Sequence, residues 1–84
     1  MGEPMGRFYF HLAVGNQRIP DEEGEDLPNA SEARREAVRS AREILAAAIR
    51  HGQPRAPDAI VIADDAGRTL DTIRLASVLP ESFK

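Results

Sequence analysis

Between Pro28 and Gly52 the chain reads NASEARREAVRSAREILAAAIRH, and its apolar residues recur at steps of three and four. Ala30, Ala33, Ala37, Val38, Ala41, Ile44, Leu45, Ala48 and Ile49 fall on one stripe, which predicts an amphipathic helix over 30–50. Ala, Leu, Arg and Glu dominate it, and all are strong helix formers. Asn29 stands where an N-cap belongs, with Glu32 at the third helical position as in a capping box. Gly52 supplies the stop. A helix with one apolar stripe has to lay that stripe on another layer. Its first half is almost all alanine, which lets a sheet approach closely. Ile44, Leu45 and Ile49 are expected to anchor the second half, so that Leu45→Ala costs roughly 2–5 kcal/mol.

The flanking segments have a period of two. RFYFHLAV (7–14) places Phe8, Phe10, Leu12 and Val14 on one face and Tyr9, His11 and Ala13 on the other. Gly15-Asn16 suits a two-residue hairpin loop, pairing Val14 with Gln17 and Leu12 with Ile19. Pro20 ends the return strand, because it lacks the N–H a longer ladder needs. DEEGEDLP (21–28) reads as an acidic loop. After the helix, AIVIA (59–63) reads as a buried strand, Asp64-Asp65-Ala66-Gly67 as a turn, and TLDTIRL (69–75) as the return strand.

The register of this second hairpin stays open. A three-residue loop aligns Ile62 with Leu70, a four-residue loop aligns Val61 with Leu70, and one residue of slip exchanges the two faces. The expected fold is α+β, ββαββ: a four-stranded, mainly antiparallel sheet with one helix on one face. Residues 7–79 form the single domain, between tails at 1–6 and 80–84, and Met5 is an alternative start. The segment ASVLPESFK is free either to cover a sheet edge or to fray.

Function is less legible than fold. Within 84 residues there is room for one core, and the absence of cysteine removes disulfides, thiolate metal sites and cysteine nucleophiles. No apolar run approaches the ~20 residues of a membrane span, and no secretory leader is read, so a cytoplasmic location is the default expectation. Charge is segregated: residues 1–28 carry six acids against two arginines, and 29–51 five arginines against three glutamates. A pI near 5.3 argues against wholesale nucleic-acid binding.

One helix leaves one sheet face bare. Tyr9, His11, Ala13, Val61, Ala63 and Ile73 are therefore candidate interface residues, and a homodimer through that face or through a sheet edge is the leading expectation. Arg35, Arg39 and Arg42 are candidates for anion binding on the helix, the basis of a rival reading as a nucleic-acid-associated regulator. A second rival is an enzyme using His11 and a carboxylate at a dimer cleft. Asp21, Glu23, Glu25 and Glu32 have a calcium-loop spacing, but the glycine such a loop needs is Asp26 here. No catalytic set, metal or cofactor is expected. The preferred reading is a non-enzymatic interaction or accessory protein with an unidentified protein partner.

The residues do resemble a family. Phe8-Tyr9-Phe10-His11-Leu12, Asp21-Glu22-Glu23-Gly24, Leu27-Pro28, the Ala/Arg/Glu helix and Asp64-Asp65-Ala66-Gly67 together resemble domain-of-unknown-function family 6894, a set of short bacterial proteins. Asp71 departs from that pattern, where an apolar residue is expected. The resemblance implies a small stand-alone domain and brings no activity with it.

Overall fold

A computed structural model describes residues 6–52 and 56–79. The tail segments 1–5 and 80–84 anticipated above lie outside the described residues, while Gly6 opens the first strand. The elements are β1 (Gly6–Val14), β2 (Gln17–Ile19), β3 (Glu25–Leu27), α1 (Ala30–Arg50), β4 (Ala59–Ala63), β5 (Thr69–Arg74) and a short 3-10 turn, Leu75–Val78. The sheet runs β2-β1-β4-β5, with β3 also paired to β1, and every pairing is antiparallel. It has five strands rather than four, because the acidic loop contains β3.

The first hairpin has the expected register, Leu12 opposite Ile19 and Val14 opposite Gln17. Past Pro20 the chain leaves β1 for residues 20–24 and rejoins it as β3, with Phe8 opposite Glu25 and Gly6 opposite Leu27. Asp21 holds that detour in place. Its Oδ2 accepts the Phe10 N–H at 3.1 Å, standing in for a missing ladder bond, and its Oδ1 accepts from Glu23 and Gly24 at 3.2 Å each. Gly24 closes the detour at φ +71°, with Tyr9, Arg7 and the Phe8 carbonyl so near that a Cβ would sit 2.9–3.0 Å from them.

The second hairpin follows the three-residue-loop register only at its tip. Asp64 N–H donates to the Arg68 carbonyl and Ala63 faces Thr69. A bulge then shifts the ladder by one, so Ile62 faces Asp71 and Ile60 faces Ile73. This carries Ile73 onto the helix side. It is 3% exposed in the core with Ile60 and Ile62, and so is no part of the bare face. Asp71 also points to the helix side, where Arg34 Nε meets its Oδ2 at 3.0 Å. The Asp71 carboxylate thus joins the two layers.

Helix α1 begins as anticipated, with Asn29 Oδ1 accepting the Glu32 N–H at 2.9 Å. The Glu32 carboxylate does not complete the box; it pairs with Arg35 at 3.2 Å. Ala33, Ala37 and Ala41 are wholly buried against Phe8, Ile60, Ile62, Ile73 and Leu75. The heavier half of the stripe is less engaged than its composition implies. Ile44 and Leu45 are half-buried, and Ile49 is 69% exposed, because by that point α1 has run beyond the sheet's apolar centre. The bulk of the core therefore comes from the sheet, and the expected cost of Leu45→Ala falls to the low end of its range. The 3-10 turn packs Leu75 and Val78 under α1, on the helix side.

Candidate functional site

Alternation along β1, β4 and β5 sorts the sheet into two faces. Phe8, Phe10 and Leu12, with Ile60, Ile62 and Ile73, lie under α1. The opposite face is built of cross-strand rows. Tyr9 faces Ala63; His11 faces Val61, which faces Thr72; and Ala13 faces Ala59, which faces Arg74. Arg18, opposite Ala13, extends that last row onto β2. Among the described residues no helix or turn covers this side. Tyr9, His11 and Ala13 are half-exposed, whereas Val61 and Ala63 are buried between their taller neighbours.

The polar groups of this face are engaged in specific ways. Tyr9 and His11 stack with ring centroids 6.3 Å apart and planes 10° from parallel. Tyr9 OH donates to Asp65 Oδ1 at 3.2 Å. Partial withdrawal from solvent, and then Asp65, raise the Tyr9 pKa above its usual value, so the phenol remains a donor. His11 Nδ1 accepts the Asp21 main-chain N–H at 3.0 Å. The partner of the imidazole is thus a backbone amide, and among the described residues no carboxylate hydrogen-bonds to the ring. Burial works against ionisation of Asp21, but the amides of Phe10, Gly24 and Glu23, with His11 nearby, outweigh it and hold the carboxyl below its ordinary range.

The helix arginines lie on the far side of the molecule. Arg35 and Arg42 are common to two shallow depressions, one completed by Ser31, Arg34 and Val38, the other by Leu27, Glu32, Glu36 and Arg39. Arg39 is not available as a free cation. Glu36 takes its Nη2 with both oxygens, one at 2.7 Å, and Glu43 takes Nη1 at 3.5 Å. Hydrogen bonding to Glu36 leads the causes that raise its pKa further. Arg35 pairs with Glu32, and Arg42 has no ion pair among the described residues. The calcium-loop spacing does not become a site, since Asp21 faces main-chain amides and, among the described residues, no three metal-ligating side chains converge.

Both edges of the sheet are blunted. On β5 the alternation of the ladder turns the N–H and C=O of Thr72 and Arg74 outward. Asp71 Oδ1 takes the Thr72 N–H at 2.8 Å, and Ser77 Oγ donates to the Arg74 carbonyl at 2.6 Å. On the other edge the detour at 20–24 breaks the strand into two three-residue pieces. Short, interrupted edges and self-occupied donors discourage strand addition.

The chain is therefore a small two-layer α+β domain, helix on sheet, with one bare sheet face between two protected edges. It belongs to the family described as a domain of unknown function (DUF6894), whose model matches residues 7–76. No curated protein and no solved structure shows significant similarity to it. Among the described residues no helix is long and apolar enough to cross a membrane.

Composition alone did not single out Arg18 and Arg74 on the bare face. The first was derivable from the Leu12–Ile19 pairing, which sets Arg18 beside Ala13. The second was hidden by the bulge.

Proposed function

We propose that this protein is a small non-enzymatic interaction module that works through the bare face of its sheet, pairing there with a second copy. One observation carries the reading. Strand β4, AIVIA, is apolar on both sides, yet among the described residues only one of its sides has a covering layer. Strands that are apolar throughout belong in sheets covered on both faces. Ala13, Ala59 and Ala63, on the two central strands to either side of the Val61 row, are low enough for another sheet to approach, and the blunted edges direct association to the face.

Light scattering on a size-exclusion column, from micromolar to millimolar protein, tests this. The wild type is expected to have the mass of a dimer. Ala13→Glu and Thr72→Glu place charge on the face without entering the core and are expected to give monomers. Arg42→Glu, on the outer helix, is expected to leave the dimer intact. A monomeric wild type at every concentration, or a dimer lost only in Arg42→Glu, overturns the reading.

A further inference from the structure

The bare face has two unlike ends. Across one end runs the row Arg18, Ala13, Ala59, Arg74, in which two arginines bracket two alanines on four neighbouring strands. Both arginines are exposed, and neither has an ion-pair partner among the described residues. The other end, beyond Tyr9 and Ala63, is acidic. Asp65 lies in the β4–β5 turn, and among the described residues its one hydrogen-bond partner is the neutral Tyr9 hydroxyl. On the β3 side, Asp26 already neutralises Arg7 at 3.2 Å, and Glu22 and Glu23 have no ion pair among the described residues, while Glu25, opposite Phe8, belongs to the helix side. The His11–Val61–Thr72 row separates the two ends.

A face-to-face pair of identical sheets has two simple twofold arrangements. With the axis along the strands, the arginine rows of the two copies meet and four guanidinia converge. With the axis across the strands, each basic end meets an acidic end, and every contact occurs twice, as an isologous interface requires. Rotation about that second axis keeps β5 over β5 and β2 over β2. It sets Arg74 over the partner's Asp65, and Arg18 over the partner's acidic segment 22–26. Like charges penalise the first arrangement and opposite charges favour the second, which is how rim charges fix orientation.

We infer that two copies pack open face to open face with their strands antiparallel across the interface, Arg74 pairing with the partner's Asp65 and Arg18 with the partner's 22–26 segment. The inference rests on the face reading above and adds the orientation and the contacts. Sheets packed this way lie within about 30° of alignment. The axis then passes over the middle row, so Val61 and His11 lie close to their own counterparts. The rim pairs are solvent-exposed, which makes the dimer weaken as salt rises.

Sedimentation equilibrium at low salt tests the orientation by charge reversal, with thermal melts confirming that each variant folds. Arg74→Asp and Asp65→Arg alone are each expected to weaken dimerisation about tenfold, since each turns two attractions into two repulsions. Combined in one chain, the two reversals restore the pairing and are expected to return the dissociation constant to within about threefold of wild type. A wild-type dimer insensitive to either reversal, or a double variant weaker than both singles, overturns the orientation while leaving the face reading in place. A wild type that never dimerises overturns the face reading, and the orientation with it.

Discussion

The contact between α1 and the sheet is made by alanines, so enlarging one of them is a severe perturbation. Ala37 has 0% of its surface exposed and lies in one cluster with Ile60, Ile62 and Ile73. Ala37→Leu introduces three more carbons where there is no room. If the helix holds its position, overpacking costs about 1–3 kcal/mol. If the helix lifts instead and bares some 100 Å2 of the isoleucines beneath it, the cost is about 2.5 kcal/mol at the usual transfer coefficient. Both routes lead to roughly 2–3 kcal/mol, a large share of the stability of a domain this small. The control is Ala46→Leu, on the exposed side of the same helix, where leucine and alanine differ little in helix propensity. Urea denaturation followed by far-ultraviolet circular dichroism gives both values, and the melting temperature of Ala37→Leu is expected to fall by about 8–20 °C. Should the two variants agree within about 0.5 kcal/mol, the alanine stripe is not the contact layer and the packing argument fails.

Other tests probe the connections. Gly24→Ala is expected to cost about 2–3 kcal/mol, since it combines a left-handed φ with contacts to Tyr9, Arg7 and a main-chain oxygen; Gly67→Ala, at φ +83° but with nothing within 4 Å, is expected to cost about 1 kcal/mol. Equal losses in urea melts would refute the claim that Gly24 is sterically closed. Asn29→Ala removes the cap on the Glu32 amide and is expected to cost about 1 kcal/mol, read as a lower urea midpoint. The Asp21 carboxyl has a lower pKa folded than unfolded, so its contribution is complete above the ordinary value of 3.8 and is lost as pH falls through the lower, folded value. Urea midpoints are therefore expected to decline on acidification below about pH 4, and Asp21→Asn to flatten that decline; an unchanged acid limb in the variant would show that Asp21 does not hold the detour.

Local chemistry made some elements readable and left others hidden. Gly15-Asn16 and Pro20 confine the first hairpin to one register, and Asn29 and Gly52 mark the helix, because each acts on its immediate neighbours. Strand β3 was not readable. Glu25-Asp26 has no strand propensity, and its pairing with β1 is supported by contacts distant in sequence: Asp21 bridging the gap to Phe10, Asp26 bound to Arg7, and Leu27 packed on the core. Ile73 was misplaced for a similar reason: the bulge between Ile62 and Ala63 in the ladder exchanges the faces, and no residue type in TLDTIR announces it. Ile49 fits the helical period yet is exposed, since periodicity tells which side of a helix is apolar but not how far along it the partner layer extends. The candidate face was legible in Tyr9, His11 and Ala13. Its charged ends were not, because they depend on how strands from the two hairpins align.

Asp71 performs two tasks with one carboxylate, and this ties solubility to helix docking. One oxygen covers the outward amide of Thr72, while the other is held by Arg34 of α1. When the helix is seated, the carboxylate is oriented and the last strand offers a growing fibril a poor template. When the helix lifts, Arg34 leaves with it and the guard loses its anchor, just as the apolar underside of the sheet becomes exposed. Variants that loosen α1 should then not merely unfold sooner. They should form cross-β deposits from the partly open state, at temperatures where the native chain remains in solution.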